Sequence, residues 1–146
     1  MAKFPTSIND NDINILAGVF DDHCFKKGNS INDDEHCEAI IFPDSFNNNC
    51  WILFVELKYD KQLSGVPDKA FNQVLNTIRQ LRNQNTIDNN KLVYGVIYFP
   101  IASSKPPYTV FYFPPKILKD LRKQENIILQ SSSIISVIDE VKLRLK

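Results

Sequence analysis

Apolar residues recur along this chain with two different periods, and the switches between them mark out the elements. Ile13, Leu16, Ala17 and Phe20 return at helical spacing behind Ser7, Asn9 and Asp10, any of which can cap a helix, and they predict a first helix over 10–22. Residues 38–42 and 51–59 are apolar runs of strand length, separated by the turn-rich Pro43-Asp44-Ser45-Phe46-Asn47-Asn48-Asn49. That pattern predicts two strands joined by a hairpin loop of above-average length. From Asp68 to Asn83 the period returns to 3.6, with Ala70, Val74, Ile78 and Leu81 on one stripe just after Pro67. Leu92 to Phe99 is a continuous apolar strand, with Gly95 inside it, of the kind buried on both faces. Another strand is expected over 108–113, between Pro106-Pro107 and Pro114-Pro115. A short basic helix over 116–124, a short strand over 127–129 and a closing helix over 132–145 complete the order, the last capped by the serines at 131–133. Ile134, Ile135, Ile138, Val141 and Leu145 would be its inward face. The order predicts an α/β fold, a mixed central β-sheet flanked by helices.

At 146 residues the chain fits a single domain, 1–146, that can bury a core without a metal or disulfide staple. Its longest apolar runs are too short to cross a bilayer, so a soluble cytoplasmic protein with no membrane partner is expected. Cys24, Cys37 and Cys50 are odd in number and unpaired in pattern, which agrees with a reducing compartment. His23-Cys24 and His36-Cys37 lack the two-to-four-residue gap of a zinc site, and four scattered glycines make no phosphate-cradling loop. Net charge is zero, but it is unevenly spread: residues 1–60 hold 4 basic and 11 acidic side chains, and residues 102–146 hold 8 and 4. An acidic portion suits a divalent cation, and a basic remainder suits a polyanion that approaches it.

The acidic portion contains the most telling residues. Glu56-Leu57-Lys58 ends the run Cys50-Trp51-Ile52-Leu53-Phe54-Val55, placing a carboxylate and an ammonium where a packed strand should be apolar. Alternation puts Glu56 and Lys58 on one face. Such charges at the end of a hydrophobic strand are costly unless they pair, meet water or hold a metal. If 38–42 and 52–58 pair as an antiparallel hairpin, positions summing to about 94 lie opposite one another, and Glu38 faces Glu56. Two carboxylates about 5 Å apart at Cβ would repel unless a cation lay between them. Asp44 reads instead as a turn residue, too far along the hairpin to join them. A one-residue slip of register would turn Glu38 away.

An acid opening one strand, a hairpin, a second strand ending in Val55-Glu56-Leu57-Lys58-Tyr59 and a following helix resemble the PD-(D/E)xK nuclease superfamily. The resemblance covers roughly residues 10–100, with Glu38 standing in for the usual Asp. It implies a restriction-endonuclease-like core and metal-dependent hydrolysis of phosphodiester bonds, in DNA or RNA, with DNA the favoured partner. By that resemblance Glu38, Glu56 and the carbonyl of Leu57 would hold Mg²⁺ or Mn²⁺, Lys58 would orient the attacking water, and Gln73 would be the polar residue that some members place on the following helix. The superfamily often adds a carboxylate from the first helix, for which Asp12, Asp21, Asp22 and Glu35 are the candidates. Lys61, Lys69, Arg79, Arg82 and the basic 116–123 segment could contact the nucleic-acid backbone. A nuclease this short would work as a homodimer in order to cut both strands, whereas the competing class is a catalytically silent module of the same fold, binding protein or nucleic acid as a subunit of a larger complex. The aromatic runs 94–99 and 108–113 would then serve as core or as a subunit interface.

Overall fold

The computed structural model describes residues 6–9, 13–19, 36–45, 47–57, 66–98, 114–131 and 134–145. Along the chain these form β1 (Thr6–Asn9), β2 (Ile15–Val19), β3 (Ala39–Pro43), β4 (Leu53–Leu57), α1 (Val66–Asn83), β5 (Val93–Tyr98), α2 (Pro115–Glu125), β6 (Ile127–Ser131), β7 (Ile134–Val137) and β8 (Leu143–Leu145). The expected strand over 108–113 lies outside the described residues.

Five strands make the main sheet in the order β2-β3-β4-β5-β6. The first three form an antiparallel meander, and β4, β5 and β6 are mutually parallel. The parallel steps are bridged by helices, as parallel strands require: α1 lies between β4 and β5, and α2 between β5 and β6. Pro67 falls in the first turn of α1, where a missing N–H breaks no helical hydrogen bond. One core lies between the sheet and the helices, built from Ile40, Ile52, Phe54, Ala70, Val74, Ile78, Leu81, Val93, Ile97, Leu121, Ile127 and Leu129. Here β5 carries Gly95, because a Cβ would stand 2.8 Å from Val74 Cγ1 and 2.9 Å from Leu129 Cδ1. The fold is therefore α/β with a mixed central sheet, as the sequence order predicts.

The opposite face corrects two expectations. Segment 10–22 is predicted as a helix, yet Ile15–Val19 is a strand paired antiparallel to β3. Its helical stripe needs Leu16 inward, and Leu16 is 45% exposed, while Ile13 and Ile15 alternate inward at the period of a strand. Gly18 also costs a helix interior about 1 kcal/mol relative to alanine. The closing helix over 132–145 is likewise a hairpin, β7 and β8. Val141, required inward by the helical reading, is 59% exposed. Asp139 Oδ1 accepts hydrogen bonds from the Val141 and Lys142 backbone N–H groups, turning the chain in the way aspartate favours. Trp51 fixes that turn from the main sheet, donating its backbone N–H to Glu140 O at 3.2 Å and Nε1–H to Asp139 O at 2.8 Å. A second sheet, β1-β7-β8, results. Its Ile135, Val137 and Leu143 pack on Trp51, Leu53, Val55, Leu57 and Val96. Among the described residues, helices thus cover one face of the central sheet and a small sheet covers the other.

The two helices are tied by charge. Arg79 of α1 donates Nε–H and Nη2–H to the two carboxylate oxygens of Glu125 in α2, at 2.9 and 2.7 Å. Arg82 donates to the backbone carbonyls of Glu125 and Lys91. The Arg79 hydrogen bonds hold the Glu125 carboxyl below its ordinary range. A lowered folded-state value means stabilisation that is complete at neutral pH and lost as acid protonates the folded carboxylate. Half-exposed as Arg79 is, the pair contributes up to about 1 kcal/mol after solvent screening. In urea denaturation, the stability gap between wild type and Glu125→Gln is expected to stay level from about pH 7 to about 5 and to shrink below about pH 4. A gap unchanged into stronger acid would mean that Arg79 does not hold this carboxylate.

Candidate functional site

Glu56 lies one residue from the end of β4, in a strand buried throughout its five residues. It is only 2% exposed. Alternation places it on the face of Ile52 and Phe54, toward α1, with Ile97 of β5 beside it in register. The β3–β4 register is the one that the hairpin reading requires, since Ala39↔Val55, Ile40↔Phe54 and Ile41↔Leu53 all sum to 94.

The ladder stops at Ala39. Glu38 is a half-buried bend residue immediately outside it. Cys37 and Ile40 both join the core on the α1 side, which strict alternation cannot achieve over three residues, so the bend at Glu38 resets the phase. Consequently Cys37 packs on Glu56's side of the sheet. Burial pushes the Cys37 thiol far above its usual range, and the nearby Glu56 charge pushes it further, leaving a protonated, unreactive sulfur.

The bend is held from α1. Thr77 Oγ1 accepts the Cys37 N–H at 2.8 Å and donates to Gln73 O at 2.7 Å. Because α1 returns from the carboxyl end of β4 to the amino end of β5, Gln73 lies one turn, about 5.4 Å, closer than Thr77 to the Glu56 edge. Its side chain is half-buried. His36, also buried, donates Nδ1–H to Cys37 O at 2.9 Å.

Glu56 and Leu57 therefore stand at the carboxyl edge of β4, with Glu38 in the bend just beyond the last β3–β4 pair and Gln73 on α1. Lys58 and the first-helix candidates Asp12, Asp21, Asp22 and Glu35 lie outside the described residues, as do His23 and Cys24. Asp44 is an exposed turn residue whose N–H bonds Asn14 O, and the loop's own side-chain bond is made by Asn47 instead. Three buried polar residues at this edge, His36, Cys37 and Thr77, escape the motif reading. Thr77 had a legible signal, a hydroxyl set among the apolar positions Val74, Ile78 and Leu81 of the α1 stripe.

Among the described residues no group of three or more His, Cys, Asp or Glu side chains assembles as a metal cluster. No described helix is long and apolar enough to cross a membrane. Comparison with known proteins adds no relative: no family model, no curated protein and no solved structure matches the chain.

Proposed function

We propose that this protein is a metal-dependent nuclease of the PD-(D/E)xK type, hydrolysing phosphodiester bonds in DNA or RNA in a reducing cytoplasm. One observation carries the reading: a carboxylate, Glu56, is buried at the carboxyl end of a central strand, in Glu-x-Lys sequence, with Glu38 in the bend one residue beyond the last β3–β4 pair. A fold has no packing reason to bury an acid there, and active sites are where such costs are tolerated. Order adds support from the hairpin onward, since the Glu-bearing strand, the helix and the parallel strand follow the arrangement that the resemblance implies, whereas the first helix of that arrangement is replaced by strand β2. Carboxyl ends of parallel strands in open sheets are also where ligands bind.

The donor set suits the cofactor. Two carboxylates and a backbone carbonyl are hard oxygen ligands, and Mg²⁺ or Mn²⁺ needs few protein ligands because it keeps several waters. Glu38, Glu56 and the Leu57 carbonyl would hold the ion, which when bound polarises the phosphate and supplies a water of lowered pKa. Lys58 would orient the attacking water and offset charge developing on the phosphate. Gln73 contributes a polar contact from α1, and Thr77 sets the bend from which Glu38 projects.

A second reading, a catalytically silent module that binds within a larger complex, is favoured by the lack of a three-residue acidic cluster among the described residues. Cleavage of labelled single- and double-stranded DNA and RNA in Mn²⁺ separates the two. Wild type should cut and Lys58→Ala should lose about a hundredfold or more in rate. No cutting by wild type, with stability indifferent to Mn²⁺, would transfer the assignment to the silent module.

A further inference from the structure

Most of the cations that the sequence offers to a nucleic acid are committed elsewhere or undescribed. Arg79 is engaged by Glu125, and Arg82 is buried against backbone carbonyls. Lys61 and the side chain of Lys69 lie outside the described residues. Helix α2 differs. Lys116, Lys119, Arg122 and Lys123 are all exposed, and among the described residues none forms an ion pair or side-chain hydrogen bond. At about 100° per residue, Lys116, Lys119 and Lys123 share an arc of about 60° opposite Leu121, the residue that α2 buries in the core. They span about 10 Å along the axis. The only acids of the helix are Asp120, which is half-buried, and Glu125, which is held by Arg79.

The first turn of α2 conflicts with its own electrostatics. It carries no acidic residue and no side-chain cap, and it sets Lys116 against the positive end of the helix dipole. An external anion resolves that conflict. Placement gives the strip a direction: Asn126, in the left-handed conformation, joins α2 to β6 as a single residue, so the helix runs back along the strand. Its amino-terminal end therefore lies at the carboxyl edge of β4, β5 and β6, the edge that holds Glu56. Within the sheet plane α2 is offset from that acid toward β6, by up to about two strand spacings, roughly 10 Å, and its lysine face lies on the far side of the helix from the sheet.

We infer that the outer face of α2 is a phosphate-backbone clamp, on which Lys116, Lys119 and Lys123 seat a nucleic-acid strand and direct it toward the Glu56 edge. The partner follows from the proposed nuclease reading, and the surface follows from the charge pattern of α2 itself. Contacts of this kind position a strand without reading its sequence.

The test is fluorescence anisotropy of labelled single-stranded DNA, duplex DNA and single-stranded RNA without divalent metal, over about 50 to 200 mM salt. Full-length wild type is compared with Lys116→Ala/Lys119→Ala/Lys123→Ala and with Lys119→Ala alone. Alanine favours helix, and circular dichroism verifies folding of each variant. The triple variant should bind at least tenfold more weakly, with its log–log salt slope shallower by about 2 to 3, and the single variant by about 1. Wild-type affinity and slope in both variants would overturn the clamp. So would wild type that ignores all three nucleic acids, including wild type that binds phosphatidylserine vesicles instead. Salt-dependent binding that the triple variant loses, alongside wild type that never cuts in Mn²⁺, would sink the nuclease reading and uphold the clamp.

Discussion

Glu56→Gln should abolish Mn²⁺-dependent cleavage, by more than about a hundredfold in rate, and leave the fold intact. The amide keeps the size of the side chain but loses the charge that a hard cation requires. Because the amide matches the buried carboxylate in shape, its register neighbour Ile97 should not shift. Glu56→Leu sharpens the expectation, because an apolar side chain of similar volume removes the cost of burying a carboxylate in this strand. The inactive Leu variant should therefore melt at or above the wild-type temperature. Stability and activity moving in opposite directions would mark Glu56 as kept for chemistry, a trade seen at active sites generally. If Glu56→Leu instead unfolds the protein while Glu56→Gln cuts normally, the carboxylate is structural and the proposed function fails.

Gly95→Ala should cost about 1 to 3 kcal/mol in urea denaturation. The added Cβ would meet Val74 Cγ1 and Leu129 Cδ1 inside 3 Å. Leu129 can swing its terminal methyl, but the β-branched Val74 is stiff at χ1, so α1 must lift from the sheet. Pairing Gly95→Ala with Val74→Ala removes the clash and should recover part of the loss relative to the sum of the single variants, a coupling expected of residues in contact. Strict additivity would mean that α1 does not approach β5 this closely. Since α1 also holds the Glu38 bend through Thr77, the same variant should weaken cleavage.

The legible parts of the sequence were those where local and long-range signals agreed. The hairpin is the clearest case: two apolar runs and an Asn-rich loop, from which a sum of about 94 follows, and the observed pairs obey it. Helix α1 was equally open, with Pro67 at its start and an apolar stripe broken by Thr77. Ile15–Val19 and Ile134–Val137 misled because tertiary pairing decided them. Each has apolar residues that fit a helical stripe on paper, and each found a strand partner far along the chain, β3 in one case and β1 in the other. Strand β1 itself was invisible, since Thr6-Ser7-Ile8-Asn9 looks like a capping segment. At the site, Glu56 was readable because an acid in an apolar run is conspicuous. The bend at Glu38 was not readable, since it depends on a hydrogen bond from Cys37 to Thr77, forty residues on.

The parallel pairing of Thr6 with Ile134, continuing to Asn9 with Val137, has a consequence for synthesis on the ribosome. Strands β2 to β5 and helix α1 can assemble as soon as residue 98 is clear of the exit tunnel, but the small sheet must wait for residues 134–145. Until then Trp51, Leu53, Val55 and Val96 present a bare apolar face to the cell, a surface of the kind that holdase chaperones shield. Long-range pairing of this sort is slow to form, so the nascent chain spends its most aggregation-prone interval with its first strand waiting for nearly its last.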